Sequence, residues 1–360
     1  MTRKAPGSLA DLIESRKVIL CCGSGGVGKT TTSAALGLHA AKLGKTACVV
    51  TIDPARRLAD ALGLGELSNE PHKVDGPWPG ELWAMMLDPK GTFDELVEHY
   101  SESPEQAAGI LDNRLYRNLS SALSGTHEYM ASEKLYELYE EQQFDLIVVD
   151  TPPSRNALDF LEAPKRLTAL LENRIFRLVV SPAKGYMKVL SFGVRTFLRT
   201  VSSLVGSEVV DDVIAFFRAF EGMEDGFRER AERVQALLGD SQTSFVLVTS
   251  PREESAAEAH WFADRLAEGG LSVEGLIINK THPRFVEEGT DLSLLETLPA
   301  EAGVLAANLS QLSAVADHED HELGDLSDKV KGRAKTKVPL LATDVHDIGG
   351  LEQIAALMFA

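Results

Sequence analysis

The segment that most constrains the fold is the run Gly-Ser-Gly-Gly-Val-Gly-Lys-Thr at residues 23–30. It follows a short apolar run, Val18–Cys22, and precedes alanines and leucines at helical spacing from Thr30 to Leu43. This order predicts a strand, a glycine-rich loop and a helix. A tight turn without a ligand would explain the glycines, but it would not explain the Lys29-Thr30 pair that ends the run.

Residues 23–30 fit the pattern GxxxxGK[ST], which binds phosphate when it lies between a strand and a helix. Its glycines let backbone N–H groups converge on a phosphate, and the helix N-terminus adds positive potential. We expect Lys29 to bridge the β- and γ-phosphate oxygens of a nucleotide and the Thr30 hydroxyl to ligate Mg²⁺. The predicted nucleotide-binding residues of this segment are Gly23, Ser24, Gly25, Gly26, Val27, Gly28, Lys29, Thr30 and Thr31.

Continuous apolar runs alternate with helical patterns along much of the chain, which is typical of a parallel sheet covered on both faces. After the run at 18–22, the predicted strands are 47–52, 82–87, 146–150, 245–249 and 273–279. An amphipathic helix is predicted from about Glu253 to Glu268. The sequence therefore predicts an α/β fold of the P-loop NTPase type, with a doubly wound, mainly parallel sheet and an inserted helical subdomain.

Two stretches, about 94–140 and about 165–240, break this alternation because they are helical by pattern. The predicted domains are nucleotide-binding core at 1–93, helical insertion at 94–140, core at 141–164, a possible client-binding helical insertion at 165–240, and core with adenine-side elements at 241–360. The apolar residues that could line a groove in the second insertion are Val189 to Val205, Val209, Val210, Val213, Phe216, Phe217, Phe220 and Met223. An apolar stripe at helical spacing is, however, more often plain core.

Two aspartates follow predicted strands where a nucleotide site needs carboxylates. Asp150 ends the strand 146–150, where a carboxylate holds a magnesium-bound water, although it could instead cap the next turn. Asp53 follows the strand 47–52 and could orient or deprotonate the attacking water, or only cap the strand end. The run Asn279-Lys280-Thr281-His282 lacks the final aspartate of the guanine-specific pattern Asn-Lys-x-Asp, which favours adenine. The expected cofactors are therefore ATP and Mg²⁺.

The overall charge limits the partners. A formal net charge of −18 repels phosphate backbones and anionic lipids, and the sequence has no local basic patch, so nucleic acid is not an expected partner. The basic N-terminus leads into no apolar segment, and no apolar run reaches 18 residues, so we expect a cytoplasmic protein without stable membrane insertion.

Cysteines and histidines give no sign of a metal centre. Cys21, Cys22 and Cys48 all fall in predicted strands, and there is no CxxC pair. We expect an acidic loop near 317–335 with a disordered tail, and we expect His318 and His321, which lie among acidic residues, to be in a solvated loop and not in a metal site.

These motifs together resemble the ArsA-type ATPases, a family that includes the arsenite-pump ATPase and the cytosolic factor that delivers tail-anchored membrane proteins. The resemblance covers nearly the whole chain. Besides residues 23–31, it rests on a switch I-like run at 52–60 and a switch II-like run at 150–155. Asn279 is similar to the family's adenine-contacting asparagine, and the run 338–341, which contains Pro339, is similar to its adenine-side loop.

The resemblance implies a nucleotide-gated dimer, either of two copies of this chain or with a paralogous ATPase subunit. ATP would sit at the subunit interface, and hydrolysis would open the dimer. The helical insertions would form or dissolve a hydrophobic groove for an apolar client, such as a membrane-protein helix. Carried over by position, the catalytic residues would be Lys29 and Asp53, while Thr30 and, through water, Asp150 would hold the metal.

The main departure from the family is Ser24, because the family usually has a lysine there that crosses the interface to the partner's phosphates. Nearby arginines that could supply the missing charge are Arg56, Arg57 and Arg155, although they could also be solvated or pair with Asp60 and Asp159. The paired zinc-binding cysteines of the targeting factor and the arsenite-binding cysteines of the pump are also missing, and the chain has a single P-loop.

Two other classes of function remain open at this point. A positioning ATPase of the MinD or ParA type would use a basic amphipathic C-terminal helix on a membrane, but residues 349–360 contain no lysine or arginine. An ATP-using biosynthetic enzyme on the same scaffold would need a small-molecule site, for which the sequence offers no constellation of residues.

Overall fold

The computed structural model describes residues 7–53, 55–113, 126–172, 219, 222–286, 300–330 and 334–360. The chain divides into two compact units. The first unit comprises Met1–Met86, Leu138–Leu158 and Ser241–Ala360, and the second comprises Leu87–Glu137 and Asp159–Asp240. Packing alone sets these bounds, and the assignment of 94–140 and 165–240 as functional insertions stays a prediction.

The first unit is built on an eight-stranded sheet. In chain order the strands are β1 (Val18–Cys22), β2 (Thr46–Thr51), β3 (His72–Val74), β4 (Glu81–Met86), β5 (Leu146–Asp150), β6 (Thr243–Thr249), β7 (Val273–Thr281) and β8 (Ala334–Pro339). Their order across the sheet is β3-β4-β2-β5-β1-β6-β7-β8. Neighbouring strands run parallel except for the antiparallel pair β3 and β4.

The predicted fold class is confirmed, and the central strands explain why it could be predicted. Every residue of β1, β5 and β6 is buried, which produces the continuous apolar runs of a sheet covered on both faces. Strands β1 and β5 have the predicted bounds, whereas β3 and β8 were not predicted. Val338 and Pro339, expected in a loop, end β8, whose alternating burial and two lysines hide it from a search for apolar runs.

Helices cover this sheet. Those of the first unit are α1 (Leu9–Ser15), α2 (Lys29–Lys42), α3 (Arg57–Leu62), α9 (Glu253–Glu268), α10 (Ala300–Lys329) and α11 (Ile348–Met358). Helix α2 packs against the sheet and against α11, and His39 of α2 stacks on Phe359 with 3.5 Å between ring centroids. None of the described helices has the length and apolar composition needed to cross a membrane.

The structure contradicts the prediction that was made for the acidic segment. Residues 317–329 belong to α10, and residues 334 and 335 begin β8, so the expectation of an acidic loop with a disordered tail near 317–335 is wrong for these parts. Neighbouring basic groups offset the acidic charge: Arg284 pairs with Asp317 and Asp320, and Lys337 also pairs with Asp320. His318 and His321 are exposed on this helix, not in a loop, and the described residues hold no cluster that could bind a metal.

The second unit consists of helices in its described residues. These are α4 (Pro89–Tyr100), α5 (Pro104–Leu111), most of α6 (Thr126–Glu141), most of α7 (Ser154–Glu172) and α8 (Glu224–Leu238). Apolar residues of these helices form one core, in which Phe227 and Met223 are buried. The other predicted groove residues, from Val189 to Phe220, lie outside the described residues.

Candidate nucleotide-binding site

The glycine-rich loop lies between β1 and α2, at the edge of the sheet where the parallel strands end. Asp150 ends β5, Pro339 ends β8, and Asn279 lies near the end of β7. Ligands of doubly wound sheets bind at this edge, outside the carboxyl ends of the strands. The topology therefore brings together residues that are more than 300 positions apart in the chain.

Two glycines are required because the chain approaches itself closely. A Cβ atom at Gly23 would lie 2.0 Å from the carbonyl oxygen of Val248. Gly28 has a φ of 95°, and its Cβ would lie 2.3 Å from the Asn279 side-chain nitrogen. A larger residue at either position would therefore displace the loop, and at Gly28 it would also be strained.

Lys29 begins α2 and folds back over the loop. Its Nζ donates to the carbonyl oxygen of Ser24 over 2.8 Å, and the residue is only 8% exposed. Burial lowers the pKa of the Lys29 ammonium, and the nearby Asp150 carboxylate opposes that shift. The ammonium thus lies within the curve of the loop, where an entering phosphate would gain a charge-assisted hydrogen bond.

Asp150 is a buried carboxylate with one unsatisfied oxygen. Its Oδ2 accepts from the Thr30 hydroxyl over 2.6 Å and from the Thr51 hydroxyl over 3.1 Å, whereas its buried Oδ1 has no partner among the described residues. Burial raises the pKa of this carboxyl, while the two hydroxyls and Lys29 lower it. An orphaned carboxylate oxygen beside a hydroxyl is the kind of donor set that Mg²⁺ prefers, so these residues fit the implied metal.

Asp53 follows β2 and is half-buried. Its Oδ1 accepts from the Ala55 N–H over 2.9 Å, and its own N–H donates to the Thr51 hydroxyl over 3.2 Å. These contacts match the capping alternative of the sequence analysis. Its Oδ2 is 3.7 Å from a nitrogen of Arg57, and the side chain lines the same cavity as Lys29. Both roles proposed for Asp53 therefore remain compatible with its position.

A cavity of about 570 Å³ joins these groups. The residues of the predicted site that line it are Gly25, Gly26, Gly28, Lys29, Thr30, Thr31, Asp53, Asp150, Asn279 and Pro339. Leu340, Leu341, Val345 and His346 extend the lining away from the phosphate loop. Thr343 and Asp344 line it as well, so the lining combines the polar groups of the loop with both apolar and polar side chains from the residues after β8.

Asn279 holds the loop directly. Its Nδ2 donates to the Val27 carbonyl over 2.9 Å, and its Oδ1 accepts from the Lys280 N–H over 2.9 Å. The expected adenine contact of Asn279 stays a prediction, as does that of Pro339.

Ser24 replaces the family's lysine, and the arginines that could supply its charge differ in burial and in their ion pairs. Ser24 is 6% exposed, and no described residue is a hydrogen-bond partner of its buried hydroxyl. Arg56 pairs with Glu66, and Arg57 lines the cavity beside Asp53. Among the described residues, Arg56 and Arg57 thus pair with Glu66 and Asp53 and not with Asp60, and Asp159 pairs with Arg166. The Arg155 side chain lies outside the described residues.

Sequence reasoning missed Thr51 and Lys280. Thr51 bonds Asp150 and Asp53, but a threonine in a strand carries no signal of such a role. Lys280 donates from its Nζ to the Gly26 carbonyl over 2.8 Å. The position of Lys280 directly after Asn279, in the run at 279–282, is the sequence signal that could have placed it at the site.

The fold and the site define a P-loop nucleotide-binding protein with a doubly wound sheet. A family model described as "Anion-transporting ATPase" matches residues 16–360. The chain belongs to this family and is an ATPase, which confirms the resemblance to the ArsA-type ATPases.

Curated relatives agree with the family. The chain is 27% identical to "ATPase GET3" of Malassezia globosa over 358 residues, which cover 98% of this chain and 93% of that protein. It is also 27% identical to "ATPase get3" of Aspergillus terreus over 289 residues, covering 79% of this chain and 78% of the relative. A third relative, "ATPase get3" of Schizosaccharomyces japonicus, is 27% identical over 277 residues, covering 76% and 78%.

Proposed function

We propose that this ATPase is a dimeric switch that hydrolyses Mg-ATP to ADP and phosphate and couples hydrolysis to the binding of an apolar client. The observation that carries the site assignment is the buried Oδ1 of Asp150, which lies beside Thr30 and Lys29 and finds no partner in the described parts of the chain. A buried polar atom without a partner costs stability, so its retention favours a ligand that completes it.

The phosphate loop and its neighbours account for binding. The loop N–H groups and Lys29 would hold the β- and γ-phosphates, and Thr30 and Asp150 would hold Mg²⁺, with Asp150 acting through water. When bound, the metal neutralises charge on the phosphates and fixes their orientation. Asn279 and Pro339, which line the same cavity, would contact the adenine.

Asp53 is the residue that we expect to orient the attacking water. Within the part of the chain that the structure describes, its Oδ2 has one contact, the 3.7 Å ion pair with Arg57, so it remains able to accept a hydrogen bond from water. Arg57 lines the cavity whereas Arg56 does not, so Arg57 is the better candidate to offset phosphate charge in place of the lysine replaced by Ser24. Guanidinium suits this role because it engages phosphate bidentately.

The partner would be a second copy of this chain or a paralogous ATPase subunit, and the client an apolar segment such as a membrane-protein helix. The relatives named GET3 support this reading, as does the helical second unit. A cytoplasmic location goes with it. The positioning ATPase gains no support, because Leu351, Ile354 and Ala355 of the C-terminal helix α11 lie in the core of the first unit and are not free to bind a membrane. The biosynthetic enzyme gains no support from any observation on this site.

Replacing Lys29 by alanine tests the site. We expect Lys29→Ala to abolish hydrolysis and to weaken Mg-ATP binding, while Lys42→Ala serves as the control. Lys42 lies in the same helix but pairs with Glu352 on the surface, so its loss should leave turnover unchanged. Steady-state hydrolysis and circular dichroism would be measured for both. Normal turnover by a folded Lys29→Ala variant would refute the site assignment.

The dimer and the client need separate experiments. The oligomeric state of the parent, Arg57→Ala and Arg56→Ala would be measured with a non-hydrolysable ATP analogue. We expect the parent and Arg56→Ala to dimerise and Arg57→Ala to be impaired. An Asp53→Asn variant, expected to bind but not hydrolyse ATP, would be isolated from native cytosol and its bound proteins identified. A parent that stays monomeric at all concentrations would contradict the dimeric switch.

A further inference from the structure

Strand β7 is irregular where it reaches the phosphate loop. Asn279 pairs with Val338 and Thr281 pairs with Pro339, so two residues of β8 face three residues of β7. Lys280 is the extra residue. Bulges of this kind occur beside active sites, where they redirect a side chain, and they are rare in parallel pairs.

The backbone of Lys280 is left-handed, with a φ of 62°. Within the described residues, only one other non-glycine residue, Gln142, has a positive φ, and it is exposed between α6 and β5. Lysine is not among the residues that tolerate this conformation well, so an unfavourable backbone at the mouth of a ligand cavity indicates a function.

The irregularity aims two consecutive side chains at two consecutive carbonyls of the loop. In a regular strand, the side chains of residues 279 and 280 would point to opposite faces of the sheet. Here Asn279 donates to the Val27 carbonyl and Lys280 donates to the Gly26 carbonyl, over 2.9 and 2.8 Å. The loop is therefore held from one side by two donors of the same strand end.

Holding a carbonyl also fixes the N–H group of the same peptide. A trans peptide is planar, and its C=O and N–H bonds point in opposite directions. Fixing the Gly26 and Val27 carbonyls against β7 therefore turns the N–H groups of Val27 and Gly28 away from β7. These are groups that a phosphate loop must present to its anion, and the bonds from Asn279 and Lys280 hold them in one direction before a ligand arrives.

We propose that Lys280 is a positioning residue, which orders the peptides of the phosphate loop for anion binding through its hydrogen bond to the Gly26 carbonyl. This inference rests on the proposed nucleotide site and adds a residue to it. The ligand class is the polyphosphate part of the nucleotide, and the base is not required for the effect.

The test compares ATP with inorganic tripolyphosphate, both with Mg²⁺, as competitors of a fluorescent ATP analogue. Lys280→Met keeps most of the apolar stem and removes the ammonium donor. We expect it to weaken both ligands by the same factor, about tenfold for one charge-assisted hydrogen bond. Lys280→Arg should restore most of the affinity. Lys337→Met, which removes a lysine of β8 that pairs with Asp320 outside the cavity, is the matched control and should change neither affinity.

Two further measurements exclude a merely structural role. Lys280→Gly relieves the left-handed backbone, so its melting temperature should equal or exceed that of the parent while its affinity for tripolyphosphate falls. Hydrogen exchange of the loop amides in nucleotide-free protein should be faster in Lys280→Met than in Lys337→Met.

The possible outcomes separate this inference from the proposed function. A parent that binds neither ATP nor tripolyphosphate would remove the nucleotide site and this inference with it. Suppose that the parent binds both ligands. If Lys280→Met then loses affinity for ATP but not for tripolyphosphate, Lys280 contacts the nucleoside. If both affinities are unchanged in Lys280→Met, Lys280 is a surface residue without a role in binding. Either result overturns the positioning role.

Discussion

Among the described residues, each unit contains one carboxylate that is only 1% exposed, and the two carboxylates differ in how their oxygens are hydrogen-bonded. Asp150 in the first unit and Glu133 in the second are each 1% exposed. Both lie beside a basic residue, Lys29 or Arg230, and burial raises the pKa of both carboxyls. Burial and charge alone therefore do not distinguish them.

Hydrogen bonding does distinguish them. Both oxygens of Glu133 have partners within the helical unit: Oε1 accepts from the Arg230 guanidinium, and Oε2 accepts from the Tyr129 hydroxyl over 3.3 Å. The Arg230 guanidinium also stacks on the Tyr136 ring, with 4.3 Å to the centroid. Asp150 instead keeps a buried oxygen that has no partner within the described ranges of the chain. A fully paired buried carboxylate belongs to the fold, whereas a half-paired one is available for a ligand.

The sharpest way to break this comparison is Asp150→Asn. Because this residue would organise the metal and couple it to the switch, we expect hydrolysis to fall by about 10³-fold, or roughly 4 kcal/mol of barrier. The free energy of unfolding should change little, because removing a desolvated charge offsets the cost of burying an amide. Turnover and denaturant unfolding would be measured. Asp145→Asn, which changes the residue directly before the same strand, is the control and should keep full activity.

Glu133→Ala should give the opposite pattern. It removes the Glu133 carboxylate from the largely buried Arg230 and from the Tyr129 hydroxyl, so we expect the free energy of unfolding to fall by about 3 kcal/mol. Mg-ATP affinity should be retained where the protein is folded. Asp225→Ala, which removes an exposed ion pair with Arg228 in the same unit, should cost at most about 0.5 kcal/mol. Equal losses from the two variants, measured by chemical denaturation, would show that Glu133 is not a structural centre.

Asp53 is a third carboxylate and extends the comparison, because it is only half-buried and one of its oxygens caps the backbone. If it orients the attacking water, Asp53→Asn should keep ATP binding and lose about 10²-fold in turnover. Asp60→Asn, an exposed neighbour that also lines the cavity, should retain activity. Weak binding combined with a normal turnover rate would instead assign Asp53 to the structure of the loop.

The smallest expected effect is a dependence of stability on pH. The pKa of Glu133 is raised by burial, so the native state keeps this proton to a higher pH than the unfolded chain does. The contribution of this proton to the free energy of unfolding is fully present below pH 4.5, which is the ordinary pKa of a glutamate. It is lost as the pH rises through the pKa of Glu133 in the native state. Glu133→Gln does not titrate. The unfolding free energy of the parent relative to this variant should therefore fall with increasing pH in that window, and a rise would contradict the sign.

Local pattern was sufficient for the parts of this protein whose structure depends on neighbours in the chain. The loop at 23–30 lies between β1 and α2 because its glycines and Lys29-Thr30 form one contiguous motif. The bounds of β1 and β5 followed from apolar runs that stay buried along their whole length. The position of Asp150 at a strand end was predicted for the same reason.

The remaining features could not be predicted, because they depend on contacts between segments that are distant in the chain and that only the folded sheet brings together. Asp317 and Asp320 look like part of a solvated acidic segment until Arg284 and Lys337 are placed beside them, and only then is a helix expected. The Thr51 hydroxyl donates a hydrogen bond to Asp150 because β2 and β5 are neighbours in the sheet. Lys280 reaches Gly26 because a break in the register between β7 and β8 turns its side chain, and no pattern within residues 273–281 specifies that break.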